Sequence, residues 1–126
     1  MIRVLAVNHV SLLVNDTARS LGFYHGLLGS PLDESRPELG FPGAFLRLGA
    51  VQIHLLELAA AAVPGALPEH VGRDRHLALD VADLDAVRTV LVAAGIDYTL
   101  SRSGRRALFC RDPDGNGIEL VERPAG

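Results

Sequence analysis

Two stretches of this chain are near copies of each other. His9-Val10-Ser11-Leu12-Leu13-Val14-Asn15-Asp16 recurs as His76-Leu77-Ala78-Leu79-Asp80-Val81-Ala82-Asp83, 67 residues further on, opened by histidine and closed by aspartate both times. A duplication at this separation in 126 residues restricts the fold to two copies of one supersecondary unit. Both stretches alternate with the period of a strand, and both are followed by helical spacing: Leu21, Tyr24 and Leu28 up to Gly29, then Leu84, Val87 and Leu91 up to Gly95. Aspartate suits the start of each helix because its carboxylate accepts from otherwise unpaired backbone N–H groups. Glycine suits the end because it tolerates a left-handed turn.

Three shorter β-type segments complete each half: Ser30–Ser35, Ala44–Leu48 and Val51–Leu58 in the first, and Asp97–Ser101, Arg106–Arg111 and Gly117–Glu122 in the second. Gly49-Ala50 and Asp112-Pro113-Asp114-Gly115-Asn116 are tight-turn chemistry, so the last two strands of each half are expected to be antiparallel neighbours. The repeat closes with Ile53-His54-Leu55 against Ile118-Glu119-Leu120, offset by 65. Each half therefore reads as βαβββ: module one spans 1–58, module two 73–126, and the stretch Ala59 to Gly72, rich in alanine and proline, is an exposed linker. A module of about 60 residues buries too little surface to be stable alone. The expectation is a single domain, 1–126, of two modules that pack together or against a second chain.

Strand parity sorts the side chains. Val10, Leu12 and Val14 fall on the face that meets a helix, as do Leu77, Leu79 and Val81; His9 and His76 fall opposite. In the closing strands Ile53 and Leu55 oppose His54, and Ile118 and Leu120 oppose Glu119. Three of the five histidines and one glutamate thus share repeat-equivalent positions of matching parity. An approximate twofold would bring His9, His54, His76 and Glu119 towards one point, as metal ligands. Three imidazoles and a carboxylate suit zinc, nickel, cobalt, manganese or ferrous iron better than calcium or magnesium. Glu57 points to the other face of an ideal strand, and only a bulge would make it a reserve ligand. His25 and His70 are expected at the solvated surface, and Cys110 as a small buried hydrophobe.

Composition removes several function classes. All twelve basic residues are arginine, which excludes a lysine Schiff base and the lysine of a P-loop; fifteen acidic residues leave a net charge of −3, without the basic footprint of a nucleic-acid binder. The apolar stretches are too interrupted for a membrane span, and one cysteine permits no disulfide within the chain, so the expected location is cytoplasmic. Phe41, Phe45 and Phe109 offer the lining of an apolar pocket, though plain core is their simpler reading. The loop Arg102-Ser103-Gly104-Arg105-Arg106 offers guanidinium groups to a carboxylate or phosphate, though a solvated loop is its simpler reading.

The βαβββ repeat, the opening Asn8-His9-Val10, the segment Phe23-Tyr24-His25-Gly26-Leu27-Leu28-Gly29 and the ending Asp112-Pro113-Asp114-Gly115-Asn116-Gly117-Ile118-Glu119-Leu120 together resemble the vicinal oxygen chelate superfamily. Glyoxalase I, methylmalonyl-CoA epimerase, extradiol dioxygenases, fosfomycin-resistance transferases and bleomycin-binding proteins belong to it. The resemblance implies an α+β fold in which two tandem βαβββ modules form a curved mixed sheet around a cleft. It also implies a divalent metal on His9, His76 and Glu119, with the position of His54 supplying a fourth ligand in glyoxalase I. Glyoxalase I usually carries a carboxylate at that position and the epimerase a glutamine, so the histidine departs from both patterns. The function implied is a metal-dependent, glyoxalase-like lyase or isomerase that chelates two oxygens of a small substrate, with Glu119 as the base. The alternatives are an extradiol-type dioxygenase, a thiol transferase, or a metal-free drug-binding protein. A homodimer is expected, because short modules leave apolar sheet surface that needs cover.

Overall fold

In a computed structural model, which describes residues 1–58 and 67–123, the chain divides into two compact units, Met1–Ala62 and Val63–Gly126. In the first, β1 (His9–Val14) is followed by α1 (Thr17–Leu21), β2 (Leu32–Asp33), β3 (Gly43–Leu48) and β4 (Val51–Glu57). In the second, β5 (His76–Val81) is followed by α2 (Leu84–Ala93), β6 (Tyr98–Leu100), β7 (Ala107–Arg111) and β8 (Gly117–Glu122). Both are βαβββ modules. Each has its own sheet of four strands, in the orders β1-β4-β3-β2 and β5-β8-β7-β6. Each sheet is mixed: the first strand runs parallel to the last, and the remaining pairs are antiparallel.

The parallel pairing decides which side chains meet. Ser11 sits opposite His54 in one unit and Ala78 opposite Glu119 in the other. Parity holds as expected: Val14, Ile53 and Leu55 are buried under the helix, as are Ile118 and Leu120, while His9, Ser11 and Leu13 are exposed. The hairpin turns carry Gly49 at φ 58° and Gly115 at φ 88°, a backbone that residues with a Cβ rarely adopt.

The helices start where the aspartates are. Asp16 Oδ1 accepts from Arg19 N and Asp83 Oδ1 from Ala86 N, each at 3.1 Å. A second carboxylate assists in each module: Glu57 Oε1 accepts from Thr17 N at 2.8 Å, and Glu122 Oε2 from Leu84 N at 2.9 Å. Glu57 is therefore a helix cap at the end of an unbulged strand, which removes it as a reserve metal ligand. The first helix also departs from the uniform spacing expected. After Leu21 it widens into a π-helical turn, Gly22–Leu27, in which Leu28 N donates to Phe23 O. Gly22 and Gly26 weaken the α-helix here. The wider turn lowers the rotation per residue to about 80°, so the consecutive rings of Phe23 and Tyr24 both reach the core.

Residues 59–66 of the expected linker lie outside the described residues. The described remainder is not simply exposed. A short 3₁₀ turn, Val71–Arg73, buries Val71. Arg111 holds this segment down, donating through Nη1 to Asp74 at 2.9 Å and through Nη2 to the Pro68 carbonyl at 2.5 Å. His70, expected at the surface, is half-buried and bonds Thr99 Oγ1 at 2.7 Å.

Candidate metal centre

The expected ligands come together in pairs. Within each unit the donors stop at two, and among the described residues no group of three or more His, Cys, Asp or Glu forms a cluster able to hold a metal.

In the second unit, His76 opens β5 and Glu119 stands on β8 beside it. His76 Nε2 lies 3.2 Å from Glu119 Oε1. The other ring nitrogen, Nδ1, is 2.9 Å from the carbonyl oxygen of Asp74. A carbonyl only accepts, so Nδ1 carries the proton and the neutral ring has its lone pair on Nε2. Two lone pairs would then face each other across 3.2 Å unless a shared proton or a metal ion lies between them, and the spacing suits either. Two ligands at about 2.1 Å from one ion, 90–110° apart, are separated by roughly 3.0–3.4 Å. Glu119 is 3% exposed, a buried carboxylate flanked by Ile118 and Leu120. Its second oxygen accepts from Arg105 Nη2 at 3.2 Å. Phe109, opposite Glu119 in the sheet, sets its ring edge-on to His76 with centroids 5.2 Å apart.

In the first unit, His9 and His54 lie ring on ring, centroids 4.0 Å apart and planes 14° from parallel. Phe45 covers the other face of His54 at 3.6 Å and 5°. Half-burial lowers the pKa of His54 from its ordinary value, and the charges of His9 and Arg36 lower it further against an opposing pull from Asp33. The imidazole is therefore neutral at neutral pH. A histidine binds a metal close to its ring plane, so two stacked rings do not both aim at one ion; ligation by His54 requires its side chain to turn. His9 Nδ1 bonds Asn8 Oδ1 at 2.7 Å, and His54 Nε2 bonds Gln52 Oε1 at 3.0 Å.

Sequence reasoning missed several of these partners. Gln52 shares the parity of His54, two residues away, and that was the available signal. Arg105 belongs to the loop whose simpler reading was solvent exposure; it is 62% exposed and its guanidinium pairs with Glu119. Its neighbour Arg106 pairs with Glu122 at 2.8 Å and Asp85 at 3.6 Å. Nothing in the sequence marks the Asp74 carbonyl, a backbone atom placed by the turn before β5. The three phenylalanines also part ways: Phe109 is core, Phe45 is the platform of His54, and Phe41 is 38% exposed beneath the Arg36 guanidinium. Cys110 is buried as expected, and burial pushes its thiol up to about 12.

A family model described as the Glyoxalase/Bleomycin resistance protein/Dioxygenase superfamily matches residues 6–120. Glyoxylase I 4 of Arabidopsis thaliana is 34% identical over 128 aligned positions, covering 94% of this chain and 71% of that protein. The uncharacterized protein YaeR of Escherichia coli (strain K12) is 30% identical, covering 98% of this chain and all 100% of that one. Among solved structures, a glyoxalase/dioxygenase from Nostoc punctiforme superposes with a TM-score of 0.78 at 26% identity over 99% of each chain. Duplicated βαβββ modules, the placement of His9, His76 and Glu119 on them, and these matches agree: the chain belongs to the glyoxalase/bleomycin resistance protein/dioxygenase superfamily.

Proposed function

We propose that this protein is a metal-dependent enzyme of the glyoxalase type, a lyase or isomerase that acts on a small substrate presenting two neighbouring oxygens. The observation that carries this reading is the meeting of His76 Nε2 with the buried Glu119 carboxylate at a separation suited to two ligands of one ion. The ligand set proposed is His76 and Glu119 from the second unit with His9 and His54 from the first, in one vicinal-oxygen-chelate domain. The superfamily resemblance, not the geometry of either unit, assigns the two pairs to a single ion. When bound, zinc, nickel, cobalt, manganese or ferrous iron would supply Lewis acidity that stabilises negative charge on the substrate oxygens as an adjacent proton leaves.

The chain's own groups do the rest. The carbonyl of Asp74 fixes the tautomer of His76, so that Nε2 is the donor atom. Glu119 is the proposed proton acceptor. Arg105, 62% exposed, can withdraw from Oε2 into solvent and leave that oxygen free to take a proton. The proposal extends to a cytoplasmic homodimer, which the unpaired Cys110 and the apolar residues ahead of β1 support: Ile2, Val4, Leu5 and Val7 are all 62% exposed or more. A solution mass that stays monomeric at every concentration overturns the dimer.

Metal analysis of the full chain purified without chelator tests the function. Near-stoichiometric metal is expected in the wild type, with loss in His9→Ala, His76→Ala and Glu119→Ala, and His54→Ala separates a four-ligand from a three-ligand set. Equal and negligible metal in the wild type and all variants would falsify the metal-dependent reading.

A further inference from the structure

Asp33, Gln52 and His54 form a line of hydrogen bonds within the first unit. Gln52 Nε2 donates to Asp33 Oδ2 at 2.8 Å, and Gln52 Oε1 lies 3.0 Å from His54 Nε2. Asp33 also accepts from Ser35 N at 2.9 Å and from Arg47 Nε at 2.8 Å, and these contacts hold it as an ionised carboxylate, an acceptor only. The Gln52 amide consequently has one permitted orientation. Reversing it would set its carbonyl oxygen against a carboxylate oxygen, and its NH₂ group against His54. With NH₂ turned to Asp33, only the carbonyl oxygen faces the imidazole. That oxygen accepts and cannot donate, so the ring nitrogen it meets must bear the hydrogen.

We propose that Gln52 is a positioning residue: keyed by Asp33, it holds His54 as the Nε2–H tautomer in the slot between Phe45 and His9, so that the lone pair His54 offers is on Nδ1. His76 is the reverse, with Nδ1 tied to the Asp74 carbonyl and the lone pair on Nε2. The two histidines thus use opposite nitrogens. The consequence for a proton acceptor, that His54 acts through Nδ1 while it sits in this slot, rests on the proposed function; the tautomer itself does not.

The test uses metal-free full-length protein labelled with ¹⁵N-histidine, at a pH about two units above the ordinary imidazole value of about 6.5. His54→Gln identifies the His54 resonances. The wild type is expected to show Nε2 at the pyrrole-like extreme and Nδ1 at the pyridine-like extreme. Gln52→Leu is expected to move both nitrogens towards a tautomer-averaged position and to speed exchange of the Nε2 proton by on the order of tenfold, the loss of one hydrogen bond. Asp33→Ser, which leaves the Gln52 side chain in place but removes its key, is expected to do the same to a smaller extent. A wild-type spectrum with the proton on Nδ1 overturns the proposal whether or not the variants fold. So do nitrogen shifts and exchange rates in Gln52→Leu equal to those of the wild type. Because neither metal content nor turnover enters the measurement, its failure is distinguishable from failure of the enzyme reading.

Discussion

Replacing Gly117 by alanine tests how the pairing of β5 with β8 builds the His76–Glu119 pair. Gly117 is opposite His76 in the register, two residues before Glu119. A Cβ at this position would lie 2.6 Å from the Arg75 carbonyl oxygen, 2.6 Å from Val71 Cγ1 and 3.2 Å from His76 Cβ. Ordinary contact begins at 3.4 Å, so the strand must yield by about 0.8 Å, and the first obstacle is backbone, not the end of a flexible side chain. Overpacking of this kind costs roughly 1–3 kcal/mol. At about 4 °C per kcal/mol, the melting temperature should fall by roughly 4–12 °C. The same displacement separates the two candidate donors, and metal affinity should fall about 10–100-fold. Calorimetry and competition titration with a chromogenic chelator measure the two effects. Gly22→Ala is the control: its backbone is right-handed helical and the added methyl meets nothing within 4 Å, so stability should be unchanged or raised by up to about 1 kcal/mol. A Gly117→Ala protein that melts with the wild type and binds metal equally well would refute the strand-spacing argument.

Glu122 bonds Leu84 N and both the Nε and Nη2 of Arg106, and its pKa lies below the ordinary carboxylate value, first because of Arg106 and then because of the helix N–H. A folded pKa below the unfolded one contributes stability that is present above about 4.3 and lost as pH falls through the depressed folded value. Glu122→Gln should therefore lower the urea midpoint at neutral pH and flatten its decline in acid; an unchanged acid limb contradicts the assignment. Native Cys110 should resist iodoacetamide at a pH of about 8 and react once the chain is unfolded in urea, since burial holds the thiol protonated. Equal labelling rates in both states would show the thiol to be open. Asp83→Ala removes the cap on Ala86 N and should cost about 1 kcal/mol in denaturant unfolding, with no change in metal content.

Parity and capping were readable because they are local. The period of two in His9–Val14 and His76–Val81 places the histidines opposite the apolar face wherever the strand is packed, and Asp16 and Asp83 bond to N–H groups three residues away. Parity likewise set Glu57 on the other face, a ligand only by way of a bulge; the strand is continuous and its carboxylate reaches the helix. Even so, the helix after Asp16 was read as uniform. Its π turn depends on burying two adjacent rings, a demand that packing makes and spacing does not reveal.

The long-range arrangement came only with the tertiary structure. Which residue of β4 stands opposite Ser11 depends on a register between strands some 40 positions apart in the chain, and that register makes His54 the middle ring of a stack between His9 and Phe45. The Asp74 carbonyl behind His76, Arg105 on Glu119, and Asp33 behind Gln52 are likewise contacts that no local pattern encodes. The amino-acid order dictates which face each group occupies, because pleat and capping act over a few residues. The ring nitrogen that carries a lone pair follows from hydrogen-bond partners that only the folded chain brings within reach.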